Sequence, residues 1–259
     1  MSVKSAERVL RIFELLSNFP RGLTAKQVGE QLGYARSSTF EILQTLSENE
    51  YLLVDTNKCY ALGPRLIRLG MNAAAFLDIN RIAAPMLQWV MDIVSETVFM
   101  AVLSGDEVVY VAKINSEKTV STNASIGSRK PIYCTGLGKA FLTFMEPNRS
   151  QAMIAGLQFQ PITDNTVRSK EDLYRQMEKF KRQGYAVDDG EIEEGLWCAA
   201  APIYDANSKV IAAVSVSGPR ERMTQKRELV VKTILQATRD ISRKCGYLSP
   251  KNKLKNPME

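Results

Sequence analysis

Two serines spaced two apart, Ser215 and Ser217, lie in the run VIAAVSVSG. On a strand, side chains alternate between faces, so both hydroxyls point to one side of an otherwise apolar segment. Such a pair can line a polar pocket or can be satisfied by local backbone contacts. A second stretch with chemical content is ARSSTFEILQTL, residues 35–46. Set on a helix with Thr39, Ile42, Leu43 and Leu46 inward, it turns Arg36, Ser37, Phe40, Glu41 and Gln44 outward. Arginine, serine and glutamine are groups that meet phosphates and base edges. An acid and a bare aromatic ring do not belong to a purely cationic surface. The stretch therefore reads either as a DNA-reading helix or as an ordinary amphipathic one.

Composition closes several other chemistries. The 259 residues contain no histidine, which excludes a histidine-based triad, a cysteine–histidine pair and imidazole metal ligation. The four cysteines, Cys59, Cys134, Cys198 and Cys245, show no CxxC spacing. They read as reduced thiols of a cytoplasmic protein. A nucleophilic role for Cys198 or Ser215 on a small acid would have only Lys139 to activate it. CTGLGKAF, residues 134–141, invites a phosphate-loop reading that fails in detail. A Walker A loop needs glycine where Tyr133 stands and serine or threonine where Ala140 stands, and a dinucleotide fingerprint needs glycine at Phe141. What survives is a glycine-containing turn before a helix, whose free amides suit a small anion. No cofactor and no metal are expected. The net charge of +6 is compatible with a polyanionic partner without demanding one. No run approaches the ~18 apolar residues of a membrane span.

The elements that must position these residues follow from periodicity. SAERVLRIFELLSN reads as a helix with Val9, Ile12, Phe13 and Leu16 on one face. Thr24 and Gln27 have the form of a capping box opening a short helix that ends at Leu32, with Gly33 free to turn left-handed. The helix of residues 35–46 follows after a tight turn, as in helix-turn-helix units. YLLVDTNKCYALG then reads as a hairpin, broken at residues 55–58, whose tip carries Asn57 and Lys58 toward a phosphate backbone. That order is a winged helix-turn-helix, although small helix-plus-hairpin domains also dock proteins. Pro64 suits the first turn of a linker helix.

Beyond it, TVFMAVLS, EVVYVAKI, CAAAPIYD and VIAAVSVSG read as strands. Helices are expected at residues 136–144, 170–183 and 225–244. Five acids between Asp188 and Glu194 read as a solvated loop. The fold class is α+β with two domains. The expected boundaries are 1–63 for the winged helix-turn-helix, 64–77 for the linker helix, 78–248 for a domain with an antiparallel sheet, and 249–259 for a loose basic tail.

These blocks, in this order, resemble the IclR family of bacterial transcription regulators. The likeness rests on GLTAKQVGEQLGYARSSTFEILQTLSENEYL, YALGPRLIRLG, GSRKPIYCTGLGKAFL, GYAVDDGEIEEGLWCAAAPIYD and VIAAVSVSGP, and it covers nearly the whole chain. It implies a GAF-like effector-binding and oligomerisation domain, assembly as dimer or tetramer, and repression of a catabolic operon. The implied partners are operator DNA and a small organic or sugar acid, without a membrane. Thr24, Arg36, Ser37, Ser38, Phe40, Glu41, Gln44, Asn57 and Lys58 are the candidate DNA contacts. The family's small-acid site carries over to Gly136, Leu137, Asp188, Leu196, Cys198, Ser215 and Ser217, which favours the ligand reading of the two serines. RKPIYCTGLGK resembles regulators answering to sugar acids such as 2-keto-3-deoxygluconate. The chain departs from the family at Ala35, where proline is usual, and at Arg36, where lysine is. It departs further at Phe40, where histidine is frequent, and at Glu41, where arginine is. The competing expectations are a small-acid sensor with a protein-docking winged helix and an enzyme acting on a small acid.

Overall fold

The computed structural model describes residues 3–75, 78–118, 122 and 124–248, with the side chains of 73–75 left aside. The expected basic tail and the last two linker residues lie outside that set. The chain divides into two compact units, Met1–Leu77 and Asp78–Glu259.

The first unit contains α1 (Lys4–Ser17), β1 (Leu23–Thr24), α2 (Ala25–Leu32), α3 (Arg36–Glu48), β2 (Leu52–Val54), β3 (Cys59–Leu62) and α4 (Pro64–Ala75). The capping box forms as the sequence requires: the Thr24 hydroxyl accepts the Gln27 amide, while the Gln27 side chain accepts the Thr24 amide. Gly33 closes α2 at φ 66°, a left-handed conformation that other residues enter at a cost. Ile12, Val28, Leu43 and Leu52 form the centre of a small core. The three strands run antiparallel in the order β1-β3-β2. At the hairpin tip Asp55 Oδ1 accepts the amides of Asn57 and Cys59, fixing the turn that carries Lys58.

The second unit opens with α5 (Ile79–Val94), β4 (Thr97–Ser104), β5 (Glu107–Ile114), β6 (Arg129–Pro131), α6 (Gly136–Phe144) and α7 (Pro147–Gly156). It continues with α8 (Lys170–Gln183), β7 (Ala186–Asp189), β8 (Leu196–Tyr204), β9 (Val210–Pro219), α9 (Arg220–Gln225) and α10 (Arg227–Lys244). Six antiparallel strands lie in the order β6-β5-β4-β9-β8-β7. Two apolar layers cover the sheet, so its central strands are apolar on both faces. One face packs Phe99 and Ala213 against Leu137, Phe141 and Phe180 of α6 and α8. The other packs Val98, Val214 and Val216 against Leu87 of α5 and Ile234 of α10.

The bounds of β4, β5, α6 and α8 agree with the spacing argument, whereas β6, α7 and β7 were not expected. The long helix expected from residue 225 is α10, which starts at Arg227; the short α9 before it was not expected, and the two break at Lys226. The break has a tertiary cause, because Lys226 Nζ donates to the Val94 carbonyl (2.6 Å) and to Glu96 (2.8 Å). Glu96 is a buried hub at the α5–β4 corner. It accepts a two-pronged contact from Arg222 (both bonds 2.9 Å) and one bond each from Lys226 and Lys118 (3.0 Å).

Burial alone would raise the Glu96 pKa, but the bonds from Arg222, Lys226 and Lys118 prevail and bring it from 4.5 to about 2. A carboxylate depressed on folding contributes stability that is complete above about 4.5 and is lost as pH falls toward 2. Glu96→Gln strands three cations beside a neutral amide and is expected to cost about 3–5 kcal/mol near neutral pH. Urea unfolding of both chains should show a gap that is narrower at pH 3 than at pH 7. A gap independent of pH would show that the carboxylate charge is not the source.

Candidate functional site

In the first unit, α3 begins at Arg36 immediately after the α2–α3 turn, and its buried positions are Thr39 and Leu43. Arg36, Ser37, Phe40, Glu41 and Gln44 are exposed, with half of the Phe40 ring open to solvent. A groove of about 960 Å³ runs between these helices and the hairpin. It gathers Thr24, Arg36, Ser37, Phe40, Asn57 and Lys58, and adds Lys26 and Tyr60, which sequence reasoning did not single out. Lys26 lies two residues after Thr24 on the first turn of α2, a proximity that would have flagged it. Three other candidates stand outside the groove. Ser38 donates its hydroxyl to the Ala35 carbonyl (3.1 Å), which uses its one proton, and Gln44 donates one of its two N–H groups to Glu48 (2.9 Å). Glu41 makes no ion pair among the described residues.

In the second unit, strand register sets the geometry. Asp188 on β7 pairs with Cys198 on β8, and Cys198 with Ser217 on β9, so the three form one row across the sheet. Ser215 lies two residues along β9, opposite Ala200 and Phe99. α6 starts directly above this row. Thr135 caps it, accepting the Gly138 amide (3.0 Å) while donating to the Pro131 carbonyl (3.1 Å). The amides of Gly136 and Leu137 belong to the first turn, which has no intrahelical acceptors and carries the positive end of the helix dipole.

A cavity of about 260 Å³ results, small enough for a compact metabolite. It is lined by Gly136, Leu137, Asp188, Leu196, Cys198, Ser215 and Ser217, all seven positions named from the sequence. Ser215 is buried and makes no side-chain hydrogen bond among the described residues, so its hydroxyl is available to a ligand. Asp188 is also buried, and its Oδ1 accepts the Glu191 amide (2.7 Å). Burial pushes its pKa up to about 7 against the opposing pull of Lys139. Near neutrality this carboxyl is poised between donor and acceptor. Burial likewise pushes the Cys198 thiol up to about 12, which removes the thiolate that nucleophilic chemistry would need.

Two sequence expectations are corrected. The run from Asp188 to Glu194 is not a solvated loop throughout, since Asp188 and Glu191 are both buried. Lys139 is not available to activate a nucleophile. It is fully buried, pairs with Glu191, donates to Gln176 (2.9 Å) and lies 5.5 Å from the Phe180 ring centre. Sequence reasoning missed the far side of the cavity, where Phe99, Tyr110, Thr122, Ser128 and Lys130 line it. Tyr110 packs its ring 4.9 Å from that of Phe99. Alternation along β4 and β5 marks their faces, but only the register shows that these faces meet the serines. Among the described residues no group of three or more histidine, cysteine, aspartate or glutamate side chains is placed to hold a metal, and no helix is long and apolar enough to cross a membrane.

Comparison with known proteins places this architecture. Residues 71–243 match the bacterial transcriptional regulator IclR C-terminal domain, and residues 5–56 match the IclR helix-turn-helix domain. The transcriptional regulator KdgR of Escherichia coli is 29% identical over 94% of this chain and 94% of its own. The Pca regulon regulatory protein of Pseudomonas putida is 30% identical over 92% of this chain and 82% of its own. Among solved structures, the repressor BlcR of Agobacterium tumefaciens superposes with a TM-score of 0.81 at 28% identity, covering 96% of this chain and 99% of its own. With both domain matches, the winged helix-turn-helix and the curled antiparallel sheet in place, the chain belongs to the IclR family of DNA-binding transcriptional regulators, which are not enzymes.

Proposed function

We propose that this regulator represses a catabolic operon and that a small organic or sugar acid, bound in the cavity of the second unit, controls its hold on operator DNA. The observation that carries this reading is the cavity itself, where free helix amides, an unengaged Ser215 hydroxyl and a carboxyl poised near neutrality converge in a small space. Amides at a helix start suit a carboxylate, and hydroxyls with Asp188 suit hydroxyl or keto groups. The repressor function is supported by BlcR, a matched protein that is itself described as a repressor. The finer match to sugar-acid regulators rests on RKPIYCTGLGK alone.

On DNA, Arg36 takes a guanine edge or phosphate, Ser37 a phosphate, and Asn57 and Lys58 the backbone beside the hairpin. Ser38 serves as an acceptor only, because its proton is engaged. Self-association as a dimer or tetramer gives a two-fold operator, and the location that fits this role is the cytoplasm. A small-acid sensor with a protein-docking winged helix would share the cavity but lack salt-dependent DNA affinity.

Selection of bound fragments from the host genome tests the function directly. Once an operator is in hand, Arg36→Ala is expected to weaken its retention by tenfold or more with an unchanged melting temperature. Wild-type affinity in a gel shift would remove Arg36 from the interface. For the cavity, Ser215→Ala is expected to abolish effector response while sparing DNA binding; calorimetry giving wild-type ligand affinity would exclude Ser215.

The pH dependence follows from Asp188. Below about 7 its carboxyl is protonated and donates to a bound acid, and above about 7 it ionises and repels one. Acid affinity should therefore fall above that value by up to about tenfold per pH unit, and Asp188→Asn should flatten the profile. Affinity that rises with pH in the wild-type chain would reverse the assignment.

A further inference from the structure

The charged groups lining the cavity are Lys130, Asp188 and Glu193. Glu193 is exposed and hydrated, and Asp188 is held by the Glu191 amide. Lys130 is different. It is partly buried, makes no hydrogen bond or ion pair among the described residues, and is the cavity's one cationic side chain among them. Its neighbour Arg129 occupies the alternate face of β6 and is engaged with Glu107 (3.2 Å). The two adjacent cations thus have separate fates, and the one facing the cavity makes no ion pair among the described residues.

Topology makes that position informative. β6 and β7 are the outermost strands of the sheet, five strand steps apart. On a flat sheet that would separate them by about 24 Å, at about 4.8 Å per step. Yet Lys130 from β6 and Asp188 from β7 line the same cavity of about 260 Å³. The sheet must curl around the start of α6, so that the cavity is what lies between its two edges. The link from β6 to α6 is short and pinned by the Thr135–Pro131 bond. Lys130 therefore approaches the cavity from one edge and Asp188 from the other, while the α6 amides roof it above the Asp188–Cys198 row.

A cavity-facing ammonium that makes no ion pair with the protein favours an anion over a neutral ligand. We propose that Lys130 is the residue that selects for acidity in this cavity. It pairs with the effector's carboxylate beside the α6 amides, while the hydroxyl or keto end reaches Asp188 and Ser215, so that the ligand bridges the two edges of the sheet. This assignment rests on the acid-binding reading of the same cavity.

Titration calorimetry on the full chain tests it with pyruvate and gluconate, each against its neutral amide. The wild-type chain should bind at least one acid tenfold or more tighter than the matching amide. Lys130→Met should erase that preference by weakening the acid alone, and Lys130→Arg, which keeps the charge, should retain it. Melting temperatures of the variants report whether the fold is kept. If Lys130→Met binds the acid as the wild type does while Ser215→Ala does not, Lys130 is overturned and the acid site stands. If neither acid binds the wild-type chain, or Ser215→Ala changes nothing, the acid site falls and the Lys130 assignment falls with it.

Discussion

The start of α6 lies closer to the sheet than a side chain allows. A Cβ added at Gly136 would sit 2.3 Å from Cys198 Sγ, and one added at Gly138 would sit 2.1 Å from the Ile132 carbonyl oxygen. Gly136 thus admits the Cys198 side chain and Gly138 the backbone of the β6–α6 link, and neither position has room for a Cβ. The approach lowers the first turn of α6 onto the Asp188–Cys198–Ser217 row, so that amides rather than side chains form the roof of the cavity. It also gives the sheet something to curl around, which brings its two edges to one space. The GLGK sequence that fails as a nucleotide loop is thus explained by packing. Gly136 serves contact with the sheet and Gly138 contact with the β6–α6 link, and the lysine is consumed by the interior.

Three buried carboxylates show how the same group is put to different uses. Glu96 is surrounded by three cations and held ionised, so it ties α9 and the break before α10 to the corner between α5 and β4. Glu191 has one cation, Lys139, and anchors the segment whose next residues, Ile192 and Glu193, line the cavity. Its backbone carbonyl also accepts the Thr166 hydroxyl (2.7 Å), so the segment is fixed from two sides. Asp188 makes no ion pair among the described residues, and burial raises its pKa against the pull of Lys139. The two structural acids have cations in direct contact, whereas the one facing the ligand feels its cation only at a distance. That distribution is what leaves Asp188 free to respond to what binds.

Much of this was legible in the sequence for reasons that can be named. β4 and β5 are bounded by polar or glycine residues and rich in β-branched positions, and α6 and α8 have clear limits, so local pattern sufficed. The seven cavity positions came from resemblance and not from periodicity, which left the two serines open. What was not legible depends on distant contacts. β6 is three residues long and gains its identity only from pairing with β5. Lys139 meets Glu191 52 residues away, a pairing no local window contains. Lys130 looks like any lysine beside an arginine, and only strand register and sheet curl reveal that it faces the cavity. α9 was not legible either: it ends at Lys226, a good helix former whose side chain is bonded to Val94 and Glu96, 132 and 130 residues away.

On the DNA-facing side the departures gain physical weight from the structure. The groove beside α3 carries Lys26, Arg36 and Lys58, enough positive charge to meet a phosphate backbone. Glu41 stands on the same exposed surface without an ion pair among the described residues, and the Phe40 ring beside it is half open to solvent. A carboxylate so placed subtracts from general attraction to any duplex. An exposed aromatic ring adds nothing to it. On the proposed DNA-binding reading, the acid would weaken indiscriminate binding, and that loss would be recovered only where a cytosine amine meets the acid and a thymine methyl meets the ring. On that reading, an acid and a ring at positions where the family resemblance leads one to expect basic residues would move the balance from affinity for DNA in general toward discrimination among sites.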